Sequence, residues 1–461
     1  MTSAKRHAHA EMTAQGDVAV YMPDTGELDH AWSPGALLAM AESEKLIVST
    51  RDDVLLRRCL EQSVKAGVRP GVIIGNGSSL GPSVVGLSHK SAAIVSGAMF
   101  LPNSAERHVA AELGINQPPP AGDDLEGAEL LAAYHGDCAK HWRTLVLESA
   151  QVAPRLSLGA TAAGIIPRKW RRAAAVLQKG EDWAWVRKAY FGGRVQCFQP
   201  GWSGEAVEYD LRGAYGWALS KPIPDWKLYE RPLGPLPMQP AWFDVTVEVS
   251  GRPGPLPVRA DDGSLTWPES GRWRGTWTRL EIEQPGVHIV TVHEVVCGRE
   301  NDDLVPAVER WLERREHSTR KAERALLRLL CCALAGKLCQ KPVRWSLWTG
   351  QDEPPIGSMP LGFDSALMAV PSIPAHWPFT CPQAGSYVTA AVRCKVRPEL
   401  MRSDIIYTDT DSAHLPADAA PPVDIGPAPG QWSAKERGPA HYRGNRQYTI
   451  GEKRVGNWSR H

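Results

Sequence analysis

The segment Ile405–Leu415 constrains this chain more than any other feature of its sequence. An apolar run enters a short polar turn and then returns as a second apolar run, which is typical of a β-hairpin. The turn carries two carboxylates, Asp409 and Asp411. Carboxylates held this close repel each other unless a divalent cation neutralises them, and oxygen-only ligation suits Mg²⁺. A metal-free surface turn rich in Asp and Thr is the alternative that this spacing leaves open.

A third carboxylate stands at the end of another apolar run. The run Val207–Leu211 contains Asp210, and a tight turn after it brings Tyr215 back toward that carboxylate. A lone Asp at the end of a strand is usually a turn former. Together with the hairpin, however, it completes the carboxylate set that a two-metal site requires. The predicted catalytic and metal-binding residues are Asp210, Asp409 and Asp411.

These segments resemble the family B DNA polymerases, and most closely the protein-primed branch of phages and linear plasmids. Tyr407–Ser412 differs by one residue from the family's motif C, Y-G-D-T-D-S, whereas motif A, D-x-x-S-L-Y-P, keeps only its Asp and Tyr here. Tyr190–Arg194 resembles the Y-x-G-G segment, and Ser386–Arg393 resembles the helix before motif C. Arg446–Tyr448 resembles the K-x-Y segment that holds the primer, with Arg for Lys. The similarity covers about residues 180–450 and keeps the family's order.

The resemblance implies a multidomain α/β and α+β chain. It combines an RNase H-like exonuclease-type N-terminal domain, a right-hand polymerase palm on an antiparallel sheet, and helical fingers. The implied boundaries are 1–160 for the exonuclease-like domain, 161–220 for a linker with the Y-x-G-G-type segment and first palm strand, 221–304 for a β-rich insertion, 305–340 for the fingers, 341–383 for a Pro-rich insertion and 384–461 for the remaining palm. Only thirteen residues follow Tyr448, so we expect an absent or vestigial thumb. DNA synthesis should then be distributive, unless a partner protein, a second copy of the chain or the Pro-rich insertion closes around the duplex.

Motif B, K-x-x-x-N-S-x-Y-G, is the weakest match. It lies over Arg328–Gly336 and has Cys332 and Ala335 where the family has Asn and Tyr. Lys321 and Arg324 precede Arg328 at helical spacings of seven and four, so these cations share one face, which meets phosphates or is simply solvated. The resemblance implies that Tyr215 excludes a ribose 2′-hydroxyl; a plain core aromatic is the alternative. The implied nucleotide-binding residues are Tyr215, Arg328, Lys337 and Leu211.

The remaining implied contacts concern DNA and a second active site. The implied DNA-binding residues are Tyr190, Gly192, Gly193, Arg194, Arg393, Arg446 and Tyr448. A family exonuclease needs a D-x-E on its first strand, and the comparable strand here, Val18–Asp24, has Tyr21 and Pro23 at those positions. The implied exonuclease remnant is the pair Asp53 and Asp137. We therefore expect a retained fold without proofreading activity.

The composition of the chain excludes some classes of protein but does not indicate a function. The chain has 52 Lys and Arg against 51 Asp and Glu, so overall charge does not indicate a polyanion partner. Three basic segments, 168–194, 305–341 and 433–461, either form one phosphate-following tract or are solvated faces. Nine cysteines without a CxxC pair, and a first stretch without an apolar signal region, predict a cytoplasmic protein of a bacterial or phage-infected cell with no membrane segment.

The predicted function is template-directed DNA synthesis from deoxynucleotides on primer-template DNA, with two Mg²⁺ ions, or Mn²⁺ in their place. A terminal or priming protein is an expected additional partner. Two alternatives remain open. One is a catalytically reduced, polymerase-like nucleic-acid-binding subunit, which the motif B departures favour. The other is a nucleotidyl transferase that makes primers de novo or extends DNA without a template.

Overall fold

The computed structural model describes most of the chain and divides it into two compact units. The described residues are 6–13, 17–31, 33–43, 46–50, 55–56, 58–60, 62, 71–76, 82–89, 92–96, 101–115, 117–119, 124–155, 157–170, 185–230, 240–260, 263–340, 344–348, 353–355, 358–360, 368–372 and 380–456. Unit 1 comprises Met1–Gly164, Arg314–Leu330 and Lys341–Pro374. Unit 2 comprises Ile165–Glu313, Cys331–Gln340 and Ala375–His461.

Strands and helices alternate along the described part of the chain. The strands are β1 Arg6–Met12, β2 Val18–Met22, β3 Glu27–Ala31, β4 Leu46–Thr50, β5 Gly71–Asn76, β6 Pro82–His89, β7 Ala92–Ser96, β8 Val195–Cys197, β9 Ser203–Leu211, β10 Ile223–Glu230, β11 Ala241–Ser250, β12 Val258–Arg259, β13 Leu265–Thr266, β14 Ser270–Thr278, β15 Val287–Asn301, β16 Arg344–Trp348, β17 Met359–Pro360, β18 Met368–Ser372, β19 Tyr407–Asp409, β20 Ser412–Pro416, β21 Trp432–Gly444, β22 Gln447–Ile450 and β23 Lys453–Val455. The helices are α1 Pro34–Ser43, α2 Asn103–Glu112, α3 Leu125–Leu145, α4 Leu158–Ala162, α5 Ala214–Leu219, α6 Arg279–Ile282, α7 Val305–His317, α8 Lys321–Leu338 and α9 Pro382–Leu400. A π-helical turn, Val146–Ala150, follows α3, and a 3₁₀ turn, Ala163–Ile165, follows α4.

Unit 1 is built on a mixed seven-stranded sheet with the order β3-β2-β1-β4-β7-β6-β5. The central pairs β1–β4 and β4–β7 are parallel, and the outer pairs are antiparallel. Alternate residues of β1 and β2 face opposite sides, as strand geometry requires. Ala8 and Val20 belong to a core shared with Leu37 of α1, whereas Ala19 packs with Ala128 and other residues of α3. This mixed sheet with helices agrees with the predicted α/β character.

A four-stranded antiparallel sheet, β10-β15-β11-β14, occupies the β-rich part of unit 2. The apolar-rich runs Trp242–Val249 and Val287–Val296 lie within strands β11 and β15, which pair with each other. Inward-facing apolar residues of β11 alternate with more exposed ones, and Phe243 and Trp277 lie in the core that results. This sheet follows the strand that carries Asp210 in the sequence.

The second large sheet of unit 2 carries the predicted carboxylates, and we call it the carboxylate sheet. Its order is β23-β22-β21-β9-β20-β19-β8, and every neighbouring pair is antiparallel. Its hydrophobic core contains aliphatic residues such as Ile406 and three aromatic residues, Tyr407, Tyr442 and Tyr448. Helix α9, predicted from Ser386–Arg393, packs against β20. The antiparallel sheet is therefore as predicted.

The segment after β15 forms two helices, α7 and α8, separated by residues 318–320. The buried Glu323 of α8 closes the junction, because it accepts hydrogen bonds from Ser318, from Arg314 of α7 and from Ser149. The range predicted for the fingers therefore contains two helices. None of the helices in the described ranges is long and apolar enough to cross a membrane.

Candidate active site

The motif C segment folds as the predicted β-hairpin. Strands β19 and β20 are joined by Thr410 and Asp411, and Thr410 has a left-handed backbone with φ of 63°. The amide of Asp411 donates to the carbonyl of Asp409 at 2.8 Å. The amide of Asp409 donates to the hydroxyl of Ser412 at 3.0 Å. These local bonds hold the two carboxylates at the tip, where both side chains are partly exposed.

Asp210 lies on the strand next to this hairpin. In the β9–β20 ladder it stands directly opposite Ser412, the residue that follows Asp411. The next amide along β9, that of Leu211, donates to the carbonyl of Asp411 at 2.8 Å. Directly opposed residues of antiparallel strands have Cα atoms about 5 Å apart. The register thus brings the backbones of all three predicted acidic residues into one end of the carboxylate sheet.

A lysine lies beside the first of these acids. Lys435 Nζ is 3.8 Å from Asp210 Oδ2, and the Asp210 side chain is 29% exposed. The β21–β9 register shifts between Ala434 and Glu436, so Lys435 is the extra residue of a bulge. Sequence reasoning missed it, since nothing in the local pattern indicates a bulge.

The donor set suits a hard divalent cation by its chemistry. Within the described ranges, no group of three or more His, Cys, Asp or Glu side chains is gathered closely enough to hold a metal ion. The acids offer only oxygen, which Mg²⁺ and Mn²⁺ prefer over the thiolate and imidazole sets typical of zinc. The ammonium group of Lys435 partly neutralises the negative charge of Asp210, as a bound metal ion would.

Tyr215 lies in helix α5, which begins after Gly213 with φ of 55°. Burial, and then the negative charge of Asp411, raise the pKa of the Tyr215 phenol to about 12. The pKa of Tyr190 is also raised, first by burial and then by the thiol of Cys339, with a smaller contribution from Tyr215. Tyr215 is therefore near the hairpin acid Asp411, and Tyr190 is near Tyr215 and Cys339. Leu211, the neighbouring predicted residue, has a fully buried side chain.

The Gly-Gly-Arg segment supports the hairpin tip from another side. A Cβ atom at Gly193 would lie 2.8 Å from the Cα atom of Thr410, so only glycine permits this approach. The carbonyl of Arg194 accepts the amide of Thr410 at 2.7 Å. By contrast, a Cβ at Gly192 would meet nothing closer than 4.0 Å. Gly193 is thus required for the position of the turn.

Two arginines predicted to contact DNA are buried and make internal hydrogen bonds. Arg194 donates to the carbonyl of Gly254 at 2.9 Å. Arg393 donates to the carboxylate of Glu281 at 2.7 Å, and the two side chains are only 6% and 3% exposed. Sequence patterns did not show that these cations face inward.

The K-x-Y-like segment has one exposed and one buried predicted residue. Arg446 is exposed, with φ of 56°, and its amide donates to the Tyr407 hydroxyl at 3.1 Å. Tyr448 is buried, and its ring lies 4.7 Å from that of Tyr407 between centroids. The aromatic residue therefore anchors the segment, and the cation remains accessible.

On α8 the predicted basic stripe is confirmed as a single exposed face. Its three cations are exposed, whereas Leu326, Leu330 and Leu334 on the other face are buried. The exposed cations are Lys321, Arg324 and Arg328. Lys337, near the end of the same helix, is half-buried, and burial lowers the pKa of its ammonium group.

No protein-family model matches the sequence, and no curated protein does. Solved structures do match over nearly the whole chain. Phi29 DNA polymerase complexed with primer-template DNA and incoming nucleotide substrates aligns with a TM-score of 0.70 and 15% identity, over 98% of this chain and 89% of that one. Its binary complex with primer-template DNA aligns at 0.70 and 14%, over 98% and 90%. The complex with single-stranded DNA aligns at 0.69 and 14%, over 97% and 87%. The chain has the fold of Phi29 DNA polymerase.

This similarity confirms, at the level of fold, the resemblance that the motifs implied. At such low identity, it does not by itself transfer an activity or a residue's role. The predicted motif residues occur within the aligned fold, and the backbones of the three acidic residues lie at one end of an antiparallel sheet.

The N-terminal sheet corrects one prediction. Val18–Asp24 is not the first strand of the sheet, because β1 precedes it and pairs with both β2 and β4. The strand to compare with a D-x-E is therefore β1, which contains His9 and Glu11. The run Arg6–Met12 was missed because it consists largely of alanine and histidine, which do not favour strands.

His9 is buried and has several polar neighbours. Its Nδ1 lies 2.9 Å from the Ser49 hydroxyl, and its Nε2 lies 2.8 Å from Glu11. The ring of His135 on α3 is 5.3 Å away between centroids. The predicted remnant Asp137 accepts a hydrogen bond from Tyr21 at 3.0 Å. The other predicted remnant, Asp53, lies outside the described residues.

Proposed function

We propose that the chain is a template-directed DNA polymerase that adds deoxynucleotides to a primer by a two-metal-ion mechanism. The observation that carries this proposal is the β9–β20 register, which places Asp210 beside the hairpin of Asp409 and Asp411. The fold supports it as well, because the Phi29 complexes that match contain primer-template DNA and incoming nucleotides. We infer the same two substrates here.

The proposed domain roles follow the same resemblance. The carboxylate sheet and α9 form the palm, and helices α7 and α8 form the fingers. The N-terminal sheet is the exonuclease-like domain. We assign 221–304 and 341–383 to insertions that contact a priming protein and the duplex.

In the proposed mechanism Asp210 and Asp409 hold the two divalent cations, and Asp411 supports the pair. When bound, such ions lower the pKa of the primer 3′-hydroxyl and neutralise charge on the triphosphate. Lys435 offsets the charge of Asp210 before an ion arrives. Arg328 and Lys337 bind the triphosphate, since cations on a helix can neutralise phosphate oxygens.

Tyr215 is the proposed selector of the sugar. Its neighbour Asp411 lies on the hairpin, so the phenol ring is close to where the primer end and nucleotide would meet. We propose that the ring excludes a ribose 2′-hydroxyl by steric contact. Selection by shape requires a rigid wall, and the half-buried Tyr215 is restricted in its motion.

We also propose that the N-terminal sheet has lost proofreading. A metal-dependent exonuclease needs anionic ligands, and His9 replaces the first of them while pairing with the second, Glu11. A wild-type protein that removes a 3′-mismatched nucleotide no faster than a Glu11→Gln, Asp137→Asn double variant would agree with this. Faster, metal-dependent removal by the wild type would show that the site is active.

Primer extension with and without a template separates the proposed function from its alternatives. We expect incorporation of the complementary deoxynucleotide only when the template is present. Incorporation without a template would indicate a terminal transferase. DNA binding without any incorporation, over a range of Mg²⁺ and Mn²⁺ concentrations, would indicate a reduced, non-catalytic subunit.

A further inference from the structure

A cleft in unit 2 is lined by three buried arginines. They are Arg194, Arg393 and Arg397, and each is no more than 8% exposed. The cleft is shallow and partly open to solvent. Trp267 forms an apolar wall, and the Arg194 guanidinium lies 4.8 Å from the centre of its ring. Charges beside such walls interact more strongly than charges in water do.

The cleft has more positive than negative charge. Of the acidic side chains that the structure describes, only Glu281 lines it, and that carboxylate is paired with Arg393. Arg194 and Arg397 donate instead to neutral carbonyl groups, including that of Gly254. Burial, and then the charge of Arg397, lower the pKa of Arg194 to about 9.

Two guanidinium groups also keep unused donors. In the described part of the chain, Nε of Arg393 and Nε of Arg397 are buried and have no hydrogen-bond partner. A buried N–H without a partner costs about 1–3 kcal/mol, so a native site rarely leaves two of them together. Both belong to residues that line the cleft, and they lie one turn apart on α9.

The cleft adjoins the hairpin but is separate from its acids. Thr410, the left-handed turn residue, lines it, whereas Asp210, Asp409 and Asp411 are not among its lining residues. The same turn rests on the backbone of Gly193 and Arg194. An occupant of the cleft would therefore contact the residue between the two hairpin carboxylates.

We propose that this cleft binds a phosphate group through Arg397 and Arg393 and thereby steadies the turn that carries Asp409 and Asp411. A phosphate offers several acceptor oxygens and a negative charge, which match the free N–H donors and the surplus positive charge. The phosphate belongs either to a free nucleotide or pyrophosphate, or to the backbone of a DNA strand. Only this choice of sources rests on the proposed polymerase function.

The first measurement uses inorganic pyrophosphate in EDTA at constant ionic strength, so that no metal ion binds at the carboxylates. Isothermal titration of the full chain should show saturable binding. An Arg397→Leu variant should bind at least about tenfold more weakly, as expected when a charged hydrogen-bonding partner is removed. Arg402→Leu is the matched control, because Arg402 follows the same helix but does not line the cleft. Asp409→Asn should retain the wild-type affinity.

A second arm identifies the source of the phosphate. Fluorescence anisotropy in EDTA compares wild type and Arg397→Leu with a short single-stranded oligonucleotide. Loss of both ligands indicates a DNA phosphate, whereas loss of pyrophosphate alone indicates a nucleotide. Arg397→Lys, which keeps the charge without the fork, provides a folded substitute if the leucine variant is unstable, and it should bind pyrophosphate several-fold more weakly.

Two results would overturn the proposal. One is that pyrophosphate does not bind the wild type. The other is that it binds Arg397→Leu and Arg397→Lys as tightly as it binds the wild type. Neither result depends on catalysis. A chain that binds pyrophosphate in this way yet extends no primer would leave the cleft assigned and remove only the proposed polymerase activity.

Discussion

Tyr215 is proposed to select deoxynucleotides by the shape of its side chain. If its ring excludes the 2′-hydroxyl, Tyr215→Ala should increase ribonucleotide incorporation relative to deoxynucleotide incorporation by about 10- to 100-fold, the range typical of a small steric difference in a pocket. Tyr215→Phe should leave selection unchanged, since no hydrogen bond is involved. The measurement is the ratio of kcat/KM for the two nucleotides. An unchanged ratio in the alanine variant would make Tyr215 a structural aromatic.

Lys435 competes with a metal ion for Asp210, and its removal should strengthen metal binding. A partly exposed pair is worth about 0.2–1 kcal/mol, so Lys435→Met should raise Mn²⁺ affinity by only about two- to fivefold. Titration of Mn²⁺ followed by electron paramagnetic resonance measures this without a reaction. Lys395→Met is the control, because Lys395 pairs with Asp424 instead. An affinity that falls in Lys435→Met would contradict the competition.

At the scale of elements, the hairpin depends on a glycine in another segment. Gly193→Ala would push a methyl group into the backbone of Thr410, and such overpacking typically costs about 1–3 kcal/mol. Gly192→Ala is a matched control with open space around it. Urea denaturation should show a lower free energy of unfolding for Gly193→Ala only. Equal stability of the two variants would mean that the close approach is absent in solution.

Some elements could be predicted from the sequence and others could not. The hairpin and β9 were predictable because their apolar runs end in polar turns with carboxylates, a strong local pattern. Strand β1 was not, because its strand conformation depends on two neighbouring strands and not on its own residues. The inward direction of Arg194 and Arg393 also depends on tertiary contacts, which no spacing in the sequence encodes.

For the molecule as a whole, a buried histidine links stability to pH. His414 has no exposed surface, its Nδ1 bonds with the Tyr442 hydroxyl at 2.8 Å, and its pKa is lowered to about 3 by burial and then by Lys453. The unfolded chain takes up this proton near its ordinary pKa of 6.5, whereas the folded chain does not. Stability from this group is therefore complete above pH 6.5 and falls by about 1.4 kcal/mol per pH unit below it.

A His414→Gln variant should lose this part of the acid sensitivity. Its free energy of unfolding should fall less steeply between pH 6.5 and 4.5 than that of the wild type. His288→Gln, at an exposed position of β15, serves as the control and should keep the wild-type slope. Parallel slopes for wild type and His414→Gln would show that other groups govern acid unfolding.

The central claim is that the acids of the carboxylate sheet catalyse nucleotide addition. The most direct measurement is single-nucleotide incorporation on a primed template by Asp210→Asn and Asp409→Asn, compared with Asp418→Asn, whose exposed carboxylate lies just beyond β20. The account predicts a loss of about 10³-fold or more in the first two variants, because metal ions supply several kcal/mol of transition-state stabilisation. It predicts wild-type rates in the third, with circular dichroism unchanged in all. Wild-type incorporation by Asp409→Asn or Asp210→Asn would contradict it.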